Sequence, residues 1–209
     1  MKNLREILMG VFLTVQFSAV GVAFSEANYQ QIGGDTHNFT VQNELRANVL
    51  TVSSLQTLTD IQMELEFTGT KTLYFYVFES NSRNGAYTPV HQKIIQATGI
   101  GKAFYSTGGM SYTLQPGKFY AIGGIWPESI KYYRNFLPGF PSAWSLGTLE
   151  GALYGITTPP IENTFGLFSE DGAYSMRLCF SSVCQQIGGD THNFTVQNEL
   201  RANVLTVSS

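Results

Sequence analysis

The sequence predicts an all-β chain, an antiparallel β-sandwich of jelly-roll type, and three observations predict it. Ile61, Met63, Leu65 and Phe67 alternate with Gln62, Glu64 and Glu66, the period of a strand with one buried face and one wet face. Tyr174, Met176, Leu178 and Phe180 alternate with Ser175, Arg177 and Cys179 in the same way, so the two segments are expected partners in one core. After residue 25 no stretch sustains apolar residues at i, i+3, i+4 and i+7, and short apolar runs are punctuated by turn clusters, the pattern of a sandwich.

At the N-terminus, Lys2 and Arg5 precede an apolar run from Ile7 to Val22, with small residues around Ala23 to Ala27. Residues 1–25 therefore read as a secretory signal peptide, which makes the mature chain a secreted or cell-surface protein. An uncleaved anchor is the competing reading, but the run is shorter than the roughly 20 residues a bilayer requires. No later stretch is apolar enough to span a membrane.

Residues Gln30 to Ser54, QQIGGDTHNFTVQNELRANVLTVSS, return letter for letter as Gln185 to Ser209, a displacement of 155 residues. The copy stops abruptly at its front edge, where Tyr29 faces Cys184 and Asn28 faces Val183. Such a copy implies an array of near-identical units, with residues 26–184 as one β-sandwich module and 185–209 as the start of a truncated second repeat. A duplication made by engineering, or by error in assembling repetitive DNA, leaves the same pattern. Within the repeat, Asn43 to Asn48 is the one place where a helical turn can be argued, and Leu50-Thr51-Val52 looks like the start of a strand.

Further strands are expected at Leu73 to Glu79, Val90 to Ala97, Ser111 to Leu114, Lys118 to Trp126, Ile130 to Phe136 and Ser142 to Leu146. The turn clusters between them are Asn81 to Gly85, Thr107-Gly108-Gly109, Gln115-Pro116-Gly117 and Pro138 to Pro141. Asn84-Gly85 is the dipeptide of a type I′ hairpin, whose two central residues need positive φ. Gly147 to Ala173, rich in Gly, Pro and Thr, is expected to be a long loop with one or two short strands. Cys179 and Cys184 lie close enough in sequence to close a disulfide in an oxidising compartment; strand geometry that points their Cβ atoms apart is the alternative.

The run Ser111 to Gly123, SYTLQPGKFYAIG, following LYFYVFES and closed by Ala173 to Phe180, resembles the β-sandwich modules appended to bacterial secreted proteins, the carbohydrate-binding-like and pre-peptidase C-terminal-like domains. There a leucine, a short turn, Gly-Lys and an aromatic lead into a core strand. The resemblance covers about Leu55 to Phe180 and implies a non-catalytic extracellular module; it carries over no binding residue.

Chemical motifs are scarce. There is no G-x-S-x-G elbow, H-E-x-x-H or Walker loop, and Gly99-Ile100-Gly101-Lys102-Ala103-Phe104 lacks the third glycine of a dinucleotide fingerprint. Asp35 and His37 would share a strand face but lack a third metal ligand. Glu128, Glu150, Glu162, Glu170 and Asp171 sit in expected loops, where two could converge as a glycosidase pair or supply calcium, above all at Glu170-Asp171-Gly172. Otherwise no cofactor is expected. A net charge of −3 with no basic cluster argues against nucleic acid.

The candidate ligand-binding set is aromatic: Tyr74, Tyr76, Trp126, Tyr132, Tyr133 and Trp144. A Tyr ring offers a flat apolar face to a sugar and a hydroxyl that stays solvated; the competing reading is that these rings fill the sandwich. The function expected is that of a non-catalytic secreted or cell-surface module from a tandem-repeat adhesive or structural protein, with a carbohydrate-binding module of a secreted enzyme as the alternative. Its expected partners are a polysaccharide or a second copy of the chain, the latter through strand donation by 185–209.

Overall fold

The computed structural model describes residues 30–181 apart from 35, 137–138, 165–167 and 171, with 30 and 168–170 described by backbone alone. The expected signal peptide, Asp35, Pro138, Asp171, Cys184 and the second copy at 185–209 lie outside the described residues. The described chain is all-β: β1 (Gln30–Ile32), β2 (His37–Val41), β3 (Glu44–Val52), β4 (Gln56–Ser80), β5 (Thr88–Ser106), β6 (Tyr112–Leu114), β7 (Phe119–Ile125), β8 (Ile130–Asn135), β9 (Ser142–Trp144), β10 (Gly147–Ile156), β11 (Phe168–Glu170), β12 (Ala173–Tyr174) and β13 (Met176–Phe180). They form one curled antiparallel sheet whose main path runs β1-β13-β4-β7-β3-β10-β11.

β4 is 25 residues long and serves two sets of neighbours. Its first part pairs with β13 in the register Met63↔Met176 and Ile61↔Leu178, while its second part pairs with β7 from Tyr74↔Ile125 to Ser80↔Phe119. The two alternating segments expected to be partners are therefore direct neighbours. Between the two parts, Gly69 at φ 76° and Gly101 of β5 at φ 125° allow the hairpin to bend where a side chain would strain it. The segments expected as separate strands at 61–67 and 73–79 are one continuous strand, because the β4–β5 ladder runs through the bend, from Gln62↔Ser106 to Glu79↔Thr88 with one bulge at Val77/Phe78.

The curl encloses a core to which Ile61, Met63, Leu65 and Phe67 contribute together with Leu73, Phe75 and Val77 from the far part of the same strand. Leu50 and Val52 of β3, Ile122 of β7 and Met176, Leu178 and Phe180 of β13 complete it. A second cluster lies on the other face of the β3-β7-β4 region: Leu45, Ala47, Val49, Tyr76, Phe78, Ala121 and Ile125, closed over by Tyr87, Leu153 and Ile161.

Four expectations are corrected. Asn43 to Asn48 is not helical: Asn43 takes φ 55° and the chain then enters β3, a central strand between β7 and β10. Because clusters cover both of its faces, its apolar residues show no alternation from which a strand could be read. Gly147 to Ala173 is not mainly loop, since β10 pairs with β3 from Gly147↔Val52 to Ile156↔Glu44 around a bulge at Leu149/Gly151. Glycine suits its first position because a Cβ on Gly147 would lie 2.0 Å from the Thr51 carbonyl oxygen.

The hairpin at Asn84-Gly85 exists, but without the type I′ turn. Neither residue has positive φ, and the loop spans residues 81–87, pinned by Gly85 N–H donating to Ser82 O at 3.1 Å and by Tyr87 buried in the second cluster. Finally, Gln62 and Glu64 are not exposed: they are 8% and 9% accessible, and Glu66 is half-buried. Their face is covered by side chains from β5 and β8 and by Thr107 and Ser175, described below.

Truncating Leu65 or Leu178 to Ala should cost about 2–5 kcal/mol in denaturant unfolding, as for well-packed core leucines. Ile94→Ala, on the open face of β5, should change stability by less than about 0.5 kcal/mol.

Candidate functional site: an open sheet edge

β5 is 19 residues long and, among the described residues, pairs with β4 alone. Its other margin is a row of main-chain donors and acceptors, the feature to which an extended segment adds as a further strand. The period of two puts Thr88, Val90, Gln92, Ile94, Gln96, Thr98 and Ile100 on the exposed face, without a charge among them. Ile94 is 51% and Ile100 92% accessible.

Across the ladder, Thr68, Thr70, Thr72 and Tyr74 of β4 extend the same face. A polar ladder stiffens it: Thr70 and Thr98 hydroxyls meet at 3.1 Å, Gln96 Nε2 donates to Thr72 Oγ1 at 2.8 Å, and Gln92 Nε2 donates to Tyr76 Oη at 2.8 Å. Pro89 near one end, Lys93 and Lys102 on the strand and the bulge at Val77/Phe78 are the features that limit indiscriminate pairing.

The aromatic set does not assemble into one platform. Tyr76, Trp126, Tyr132 and Tyr133 are buried, and only Tyr74 and Trp144 keep partial exposure. Tyr76 is sealed in the second cluster, its hydroxyl accepting from the Ile161 N–H at 2.7 Å. Trp126 and Tyr132 belong to the main core, and Trp126 Nε1 donates to Val41 O at 2.9 Å. Trp144 packs against that core beside Phe180, and its Nε1 donates to Thr51 O at 3.2 Å. Tyr133 lies on the outer face of β8 near Lys102, 4.2 Å from its ring centre.

The remaining candidates are scattered. His37 is exposed on β2, bonded to Thr36 Oγ1 and edge-on to Phe136 at 4.6 Å. Glu128 pairs with Lys71, and Glu162 is exposed. Among the described residues no group of three or more His, Cys, Asp or Glu is placed to hold a metal ion. Cys179 is buried on β13; its expected partner lies outside the described residues.

Two polar clusters are not evident from the sequence pattern. On the outer face of β4, Asp60 accepts from Ser106 and Thr107 hydroxyls and from Gln62 Nε2, Glu64 accepts from Ser175 at 2.7 Å and faces Lys102 at 3.3 Å, and Glu66 binds Tyr133 and Lys131. The Tyr133 hydroxyl, then Lys131, holds the Glu66 carboxyl below its ordinary range. Inside, Arg46 is 6% and Arg134 3% accessible. Arg46 pairs with Glu44 and lies 4.9 Å from the Tyr132 ring centre and 5.2 Å from that of Tyr154; Arg134 lies 4.4 Å from that of Phe136. Both clusters join strands distant in sequence through internal partners, which is the work of scaffolding.

No protein-family model matches the chain, and no curated protein or solved structure matches it.

Burial pushes the Tyr87, Tyr112 and Tyr133 hydroxyls up to about 12 from the ordinary 10.0, with the Glu66 bond adding to the effect at Tyr133, and raises Tyr76, Tyr120, Tyr132 and Tyr174 as well. Each raised group keeps its proton in the folded chain after the unfolded chain has lost it, so stability falls as pH rises from 10 to 12. Denaturant midpoints should decline across that window. Tyrosinate absorbance from these raised tyrosines should grow in step with loss of the fold rather than ahead of it.

Proposed function

We propose that the chain is a non-catalytic, secreted or cell-surface module of a tandem-repeat adhesive or structural protein, and that it works by presenting its β4–β5 face and the open β5 edge. The observation that carries this reading is the 19-residue strand whose second margin has no partner among the described residues and whose exposed face is uncharged from Thr88 to Ile100. Such a margin offers main-chain hydrogen bonds to an extended partner, while uncharged Thr, Gln and Ile side chains let flat faces meet with little desolvation of ions. In this reading the curl is a jelly-roll-type sandwich, its two layers being the two parts of β4 with their neighbours. The resemblance to bacterial secreted β-sandwich modules, the apolar run at residues 7–22 and the exact repeat support the same view.

A carbohydrate-binding role would draw on Tyr74, the partly exposed ring of the β4 row, which stands opposite Ile94. The two readings separate by experiment. Purified secreted chain should show self-association or binding to its own cell surface that Ile94→Lys together with Ile100→Lys weakens by about tenfold, a change of about 1.4 kcal/mol, and no signal on a glycan array. Glycan binding that Tyr74→Ala removes would replace the adhesive reading with the carbohydrate one. Sequencing the N-terminus of the secreted material should give a start between Ala23 and Asn28; Met1 retained in a membrane fraction would make the apolar run an anchor.

A further inference from the structure

The repeated segment is not a peripheral decoration of the fold. Residues 30–54 supply β1, β2 and β3, and β3 is threaded between β7 and β10 with Leu45, Ala47, Asn48 and Leu50 fully buried. Asn48 makes two bonds to one residue of the opposite wall: its Nδ2 donates to Tyr174 O, and its Oδ1 accepts from Tyr174 N–H, both at 2.9 Å. Each chain carries the sequence that fills this slot twice, as residues 30–54 and as residues 185–209.

The connections allow either one. Residues 30–54 are tied to the slot at their C-terminal end, where Ser53 to Leu55 lead from β3 into β4. Residues 185–209 are tied at the opposite end, through the four residues 181–184 that follow Phe180, the last residue of β13; the first of the four, Ser181, donates its N–H to Thr57 O at 2.9 Å. β1 runs antiparallel to β13 with Gln30↔Leu178, Gln31↔Arg177 and Ile32↔Met176. With Gln185, Gln186 and Ile187 in those places, the register carried back pairs Cys184 with Cys179 and Val183 with Phe180. It closes on Ser181-Ser182, a two-residue hairpin loop, the commonest length for joining antiparallel neighbours. The same register sets the chain's two cysteines directly opposite each other. Residues 30–184 and 55–209 are therefore windows of 155 residues each that hold the same sequence, circularly permuted.

We propose that Gln185–Ser209 is an alternative occupant of the β1–β3 slot of its own chain, so that the protein folds as 30–184 or as 55–209 and leaves one copy out in each state. A tether of four residues holds the second copy at an effective concentration on the order of millimolar, which favours exchange within one chain over exchange between chains.

The test uses the full chain and copy-specific substitutions. Ala47→Asp puts a carboxylate at a fully buried position of the first copy, Ala202→Asp does the same in the second, and the pair disables both. Each single variant should keep a cooperative thermal transition and a monomeric mass by light scattering, its folding equilibrium reduced only about twofold by loss of one of two equivalent states. The double variant should lose the transition. If Ala47→Asp alone is as damaging as the pair, the second copy does not enter the slot and the proposal is overturned. If Ala47→Asp folds only as a concentration-dependent oligomer, the slot is filled from another molecule and exchange within the chain is wrong. Leu50→Ala and Leu205→Ala repeat the comparison with a milder lesion: the single variants should be nearly silent and the pair should lower the midpoint, whereas equal loss from Leu50→Ala alone contradicts the proposal.

Discussion

Everything in this fold follows from a strand that is too long to be straight. Twenty-five residues of extended chain would reach about 80 Å, whereas a compact domain of about 150 residues has a radius of gyration of about 15 Å. β4 must therefore bend, and it does so where Gly69 and Gly101 release the backbone from the restrictions of a side chain. Because the bend preserves the two-residue period, Ile61 to Phe67 and Leu73 to Val77 end up in the same cluster although they sit in different parts of the sheet. β13 and β7 then dock on the two parts of the same strand, and the curl closes around one core.

The bend has a second consequence, for polarity. Curling brings β8, β13 and the end of β5 beside the first part of β4, so carboxylates that alternate outward are met by hydroxyls, lysines and a tyrosine instead of water. Buried and half-buried ionic groups of this kind contribute modestly to net stability and more to fixing which strand lies beside which. Arg46 and Arg134 act alike inside, their guanidinium groups set against Tyr132, Tyr154, Tyr174 and Phe136. The far margin of β5 receives no such neighbour among the described residues. A scaffold that pairs its carboxylates internally and, among the described residues, leaves one long edge whose exposed face is uncharged from Thr88 to Ile100 is suited to contact by backbone and surface.

Where one face of a strand is buried, the period of two is written directly in the residues, and the segments at 61–67 and 174–180 could be read, even as partners. Where both faces are buried, that signal vanishes: Asn43 to Asn48 allows a helical turn and only Leu50-Thr51-Val52 reads as the start of a strand, while Gly147 to Ala173 reads as a long loop with one or two short strands. The aromatic row at Tyr74, Tyr76 and Phe78 was legible as apolar on both faces, but nothing local indicates that Ile161, 85 residues after Tyr76, closes over it. The open edge could not be seen in sequence either, because whether a strand is central or marginal depends on what pairs with its far side.

By itself, then, the sequence determined the all-β class, the turn positions that survive at Thr107 to Gly109 and Gln115 to Gly117, the inward residues of the amphipathic strands, and the identity of the two copies at 30–54 and 185–209. These are properties of local periodicity, local turn chemistry and literal comparison. Tertiary structure alone decided that 61–67 and 73–79 are one strand, that Gln62 and Glu64 lie under neighbouring side chains, that four of the six candidate rings are buried, and that β3 is central while β5 is an edge. Each of these depends on contacts between residues far apart in the chain, and burial and strand pairing are sums over such contacts that no local pattern contains.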